Sequence, residues 1–121
     1  MNIRALSMVL RVLFVVQLLL GIFFWFGAAE GLVGVHMLIG ICFVAVFWLI
    51  GVAYALRGGS LGFVLGTFVL GLILALYGMF QTRLLTGSGH WIVQVVHLLL
   101  AVLAIGVAEM IAGRAQRTQA A

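Results

Sequence analysis

Two histidines stand inside long apolar runs. His97 lies in residues 91–109, WIVQVVHLLLAVLAIGVAE, and His36 lies near the start of residues 34–56, GVHMLIGICFVAVFWLIGVAYAL. An ionisable side chain within a membrane segment is costly and by default marks a working site. A neutral imidazole there has two uses: it can ligate a metal, or it can bond to a neighbouring helix. Which use applies depends on whether the two rings meet.

Composition fixes their surroundings. The 121 residues are 67% hydrophobic and 7% charged, with no proline, whereas a soluble domain carries about 25% charge. The chain therefore reads as an integral membrane protein whose first partner is the lipid bilayer, and its length allows one small bundle. Cys42 is the only cysteine, so no intrachain disulfide forms. The six arginines are scattered, with no basic cluster or interleaved aromatic platform, which argues against a nucleic-acid partner.

The expected fold class is all-α: an integral membrane four-helix bundle of up-down-up-down topology. Its spans fall at about 4–27, 31–56, 61–81 and 91–112, each long enough at about 1.5 Å per residue to cross a hydrocarbon core of about 30 Å. Arg4 and Arg11 share a helix face and snorkel toward headgroups. The run from Val12 to Phe26 has no small-x-small cleavage site, so it reads as a membrane helix rather than a signal peptide. Gln17 is the polar group of the first span and suits an interhelical hydrogen bond. Phe23, Phe24, Trp25 and Phe26 form an aromatic belt.

The connection GAAEG, residues 27–31, is short enough to make the first two helices antiparallel neighbours. Glu30 at its tip favours the positive end of the next helix dipole. In the third span Gly62 and Gly66 form a small-xxx-small pair that admits a close neighbour. The longest loop is TRLLTGSGH, residues 82–90. The tail GRAQRTQAA is polar and expected to fray.

Orientation follows from the arginines. Arg4, Arg11, Arg57, Arg114 and Arg117 fall on one side and Arg83 on the other, with Glu30. The positive-inside rule then places both termini in the cytoplasm. The second helix enters from outside near Gly31, so His36 lies about 7.5 Å along it; the fourth enters near Trp91, so His97 lies about 9 Å along. Both sit on even-numbered helices, which are diagonal partners in such a bundle. Neighbouring axes about 8–10 Å apart put the diagonal at about 11–14 Å. That spacing suits imidazole, metal and imidazole in line, with a flat macrocycle in the centre.

Two imidazoles are too few for zinc, which takes three or four protein ligands. Haem needs only axial ligands from the protein. The expected cofactor is one low-spin haem, haem b, with His36 and His97 as metal ligands near the extracytoplasmic side. Gly40 and Ala101, one turn below the two histidines, leave room for the ring. Arg83 and His90 in the outer loop are placed to meet its propionates.

The hairpins QLLLGIFFWFG…GVHMLIG and LGLILALYG…VVHLLLAV resemble the helical repeats of the haem A synthase family, whose members consist of two four-helix halves. The resemblance spans nearly the whole chain, but only one half of that enzyme. It implies that His36 and His97 are the axial pair at the extracytoplasmic side, and it makes Glu30 a candidate catalytic group in the first outer loop. With no outer-loop cysteine pair, and with Glu30 six residues before His36 in a five-residue turn, the leading expectation is a b-type electron carrier. Such a carrier would exchange electrons with a quinol or with a respiratory or photosynthetic complex in a bacterial or archaeal plasma membrane. The alternatives are haem modification or carriage by a half-size homodimer, and a structural subunit whose histidines hydrogen-bond within the bundle. A small multidrug carrier fits poorly, because Glu109, the available carboxylate, lies about 18 Å from His97 along the helix. A salt bridge to Arg114 or Arg57 accounts for it.

Overall fold

The computed structural model describes residues 1–120, with side chains described through Arg117. Four helices follow one another: α1 (Ile3–Trp25), α2 (Val33–Ala55), α3 (Leu61–Phe80) and α4 (His90–Ala120). Single 3-10 turns, Glu30–Leu32 and Gln81–Arg83, lead into α2 and out of α3. All four helices are long and apolar enough to cross a membrane, and the described residues contain no strand.

The helix ends have local causes. Asn2 caps α1, its side-chain oxygen accepting from the Arg4 and Ala5 amides at 3.0 and 3.4 Å, which satisfies donors that lack an intrahelical partner. The end of α1 turns at Gly27, with φ +70°. Ala28 N–H then donates to the Phe23 carbonyl and Gly27 N–H to the Phe24 carbonyl. Gly58, with φ +71°, repeats the pattern after α2, where Gly59 and Gly58 donate to the Tyr54 and Ala55 carbonyls. Both are Schellman-type stops, which need a left-handed residue just past the helix. Helix α4 runs eight residues beyond the expected end at 112, so the tail is helical to Ala120 rather than frayed. Alanine, arginine and glutamine favour helix, and Gly113 alone does not stop it.

Helix α2 packs on α1 and α3, and α4 packs on α1 and α3, so the helices form a ring. Helices α2 and α4 also touch across one diagonal, whereas α1 and α3 scarcely meet. The inner face of α4 favours such contact: Ala104, Ala108, Ala112 and Ala115 are all buried, and small residues let helix backbones approach. Helix α3 meets α2 in the same way. A side chain at Gly51 would collide with Thr67, and one at Gly71 with the Trp48 indole.

The core is uneven along the bundle. Leu10, Phe47, Ile50, Thr67 and Ile111 are fully enclosed. Beyond Leu10, α1 has no buried residue, and before Phe43 neither does α2. Large apolar side chains cover the outside of every helix, the arrangement lipid favours.

The ion pair found among the described residues differs from expectation. Glu109 pairs with Arg11 of α1, not with Arg114 or Arg57. The contact is bidentate, with Nε to Oε1 at 2.7 Å and Nη2 to Oε2 at 2.6 Å. Arg11 lies eight residues past the start of α1, about 12 Å along it, too deep to be left without a counter-charge. Arg57 instead donates to the Met1 carbonyl at 3.0 Å, and the Arg114 guanidinium lies 4.5 Å over the Phe63 ring.

Candidate functional site

His36 lies in the first turn of α2, and His97 about two turns into α4. Across the diagonal their ring centroids are 6.4 Å apart, with planes inclined at 56°. Two distances decide what that gap can hold. A direct N–H···N bond of about 3 Å, plus roughly 1.1 Å from each ring nitrogen to its centroid, puts the centroids near 5 Å. Two metal–imidazole bonds of about 2.0–2.1 Å, with the same ring offsets, put them near 6.3 Å. The observed spacing is too wide for the first arrangement and is compatible in length with the second, as it is with ordinary ring contacts in this molecule such as Phe14–Phe43 at 6.5 Å and Tyr77–His97 at 6.2 Å.

The nitrogens need a partner. Nδ1 of His36 and Nδ1 of His97 are both enclosed and have no hydrogen-bond partner. Buried polar groups are almost always paired, and Ser7 Oγ and Trp48 Nε1 elsewhere in the bundle are also without a partner among the described residues. Gln17 adds another unpartnered polar atom, its side-chain carbonyl, from α1.

Every helix contributes to the walls. Phe24 of α1 meets the His36 ring edge-on, centroids 5.3 Å apart. Tyr77 of α3 lies nearly parallel to His97, at 6.2 Å and 10°. Its hydroxyl donates to the Val93 carbonyl at 3.2 Å, which ties α3 to α4 one turn before the histidine. Gly78 completes that wall: a Cβ there would sit 3.0 Å from Cε1 of His97. The ring therefore rests against bare backbone, and glycine is the residue that lets it.

The remaining expected positions are spread around this centre. Gly40 faces the side-chain amide of Gln17, whose nitrogen would lie 2.9 Å from a Cβ. Ala101 is half-buried and packs on the core below His97. Arg83 lies over Phe80 at 5.9 Å. His90 is the first residue of α4, and its Nδ1 is 3.1 Å from the Leu84 carbonyl, so it braces the loop. Glu30 is exposed in the 3-10 turn. Phe24, Tyr77 and Gly78 were not singled out as site residues from sequence. Tyr77 and Gly78 close the segment LGLILALYG, but nothing in their types separates them from the rest of a glycine- and aromatic-rich membrane helix.

No group of three His, Cys, Asp or Glu side chains gathers among the described residues. Fold and site together define a class: four membrane-length helices around a facing pair of histidine rings whose buried Nδ1 atoms have no hydrogen-bond partner among the described residues. No family model matches the chain, and no curated protein or solved structure is measurably similar to it.

Proposed function

We propose that this chain is a membrane haem protein that holds one low-spin haem b between α2 and α4, with His36 and His97 as axial ligands. The 6.4 Å spacing of the two rings carries the reading. Haem is the metal group for which two protein ligands suffice, because the macrocycle supplies the rest. The histidine end is also the more lightly packed one, since Val93 is buried there while most buried apolar residues lie toward the other end. Phe24 of α1 and Tyr77 and Gly78 of α3 would flank such a group on the two sides of the histidine pair. Bound there, haem supplies a one-electron couple.

The chain's own residues would bind and orient. Tyr77 and Gly78 fix the plane and position of His97, and Phe24 does the same for His36. Gln17 offers its amide to the ring edge beside Gly40. Arg83, in the turn after α3, and His90, at the start of α4, bracket the loop nearest the pair, where propionates would emerge. In this reading the helices run up-down-up-down with both termini cytoplasmic, since Arg4, Arg57, Arg114 and Arg117 share one end while Arg83 sits at the other. The haem then lies toward the extracytoplasmic side, placed for exchange with a quinol or a partner complex.

The test is the oxidised and reduced absorption spectrum of detergent-purified protein from haem-replete cells. A sharp reduced alpha band at one haem per chain is expected. A colourless protein refutes the reading and leaves a structural subunit. Acid-acetone extraction separates carrier from enzyme: unmodified haem b is expected, and hydroxylated or formylated haem would establish chemistry like that of haem A synthase.

A further inference from the structure

At the arginine-rich end, the opposite end from the histidines, a cavity of about 410 Å³ opens between the start of α1, the α2–α3 turn and the end of α4. That volume is within the range of small-ligand sites, about 300–1,000 Å³. Asn2, Arg4, Arg57 and Gln116 give it polar walls, and Ala112 and Ala115 lie beneath them. Both alanines are buried, at 5% and 4% exposure, so the floor is packed backbone and methyl groups rather than open lipid.

Among the described residues, no carboxylate side chain lines this cavity. The sequence holds two acidic residues, Glu30 and Glu109. Glu109 is taken by both arms of the Arg11 guanidinium. Glu30 lies in the turn before α2, at the far end of the bundle. Arg57 spends one nitrogen on the Met1 carbonyl, which holds its guanidinium at the cavity and leaves its other donors available. Arg57, held by that bond, and the exposed Arg4, with amide side chains beside them, make a site for a compact, multiply accepting anion. Guanidinium forks match phosphate oxygens, and basic pockets between transmembrane helices at a membrane surface take lipid head groups.

We infer that the cavity formed by Asn2, Arg4, Arg57 and Gln116 binds a phosphate group, with Arg4 and Arg57 as its two cationic contacts. The group comes either from an anionic phospholipid or from free phosphate. Its position at a helix end places the phosphate at headgroup depth, with the apolar surface of α1 and α4 beside it for acyl chains. This site is independent of the haem reading and survives its failure.

The experiment is native mass spectrometry of the full chain in detergent, titrated with dioleoylphosphatidylglycerol, dioleoylphosphatidylcholine and inorganic phosphate in separate arms. Saturable binding of phosphatidylglycerol in preference to phosphatidylcholine assigns the lipid as the source. Binding of inorganic phosphate with no preference between the lipids assigns the free ion. Arg4→Gln and Arg57→Gln are each expected to weaken the bound probe about fivefold, and together about thirtyfold, from the usual strength of an arginine near an anionic surface. Arg117→Gln, at the same end but outside the cavity, is expected to leave affinity within twofold. Should the double variant fail to fold, Arg4→Gln carries the test alone, since its side chain is exposed. Equal loss in Arg117→Gln and Arg4→Gln, or no saturable binding of any probe, overturns the site.

Discussion

Replacing Gly78 separates the stability of the helix from the position of the ligand it touches. A Cβ at this position would sit 3.0 Å from Cε1 and 3.7 Å from Nδ1 of His97. A comfortable carbon contact begins near 3.5 Å. Alanine must therefore push the ring by roughly 0.5 Å, the limit within which a working constellation holds its geometry. Leucine must displace it much further. Helix propensity acts in the opposite direction, favouring alanine over glycine by about 1 kcal/mol. Gly78→Ala is thus expected to melt no lower than wild type while losing haem, and Gly78→Leu to lose more. Displacing a group that orients a metal ligand costs about 10–100-fold in affinity. The assays are haem-to-protein ratio and reduced spectrum on one side, and thermal loss of helicity on the other. Gly66→Leu is the control, because a Cβ there meets nothing within 4 Å, and it should keep full haem. A Gly78→Leu protein with an unchanged low-spin spectrum would show that His97 is not a ligand held against this backbone, and the paired-ligand proposal would fall.

His36→Ala and His97→Ala should have matching consequences, each leaving haem five-coordinate or lost; a low-spin spectrum surviving either change rules out the pair. His90→Ala should be milder, costing loop order rather than the reduced band, because its ring is bonded to the Leu84 carbonyl. Tyr77→Phe keeps the stacked ring and removes the bond to Val93, so a stability loss of about 1 kcal/mol with the spectrum retained is expected; loss of haem in this variant would give the hydroxyl a larger role. Glu109→Ala should lower the melting temperature by stripping Arg11 of its bidentate partner, and the exchanged pair Arg11→Glu with Glu109→Arg should recover part of it; equal melting of single and exchanged variants would mean the contact adds nothing.

Four apolar runs, each long enough to span a bilayer, were legible in the chain because lipid leaves a backbone few alternatives to helix. The turns were legible at GAAEG and at Arg57–Ser60, where glycine supplies the left-handed residue that ends a helix. The two histidines were legible as the candidate pair because few ionisable groups sit within these runs, and counting residues from the loops set them at equal depth. Spacing along a helix could not say how closely helices approach. That the rings face each other at 6.4 Å follows from packing between helices, where Gly78 of α3 lets the His97 ring lie against its backbone. The partner of Glu109 was hidden for the same reason: Arg114 and Arg57 were near in sequence or at the expected end, whereas Arg11 is 98 residues away and adjacent only once α1 lies on α4. Gly78 looked like any of several glycines in α3, and so did Gly66. One receives a histidine ring and the other faces open space, a difference set by which way each points, and side-chain direction relative to other helices is a property of the assembled bundle.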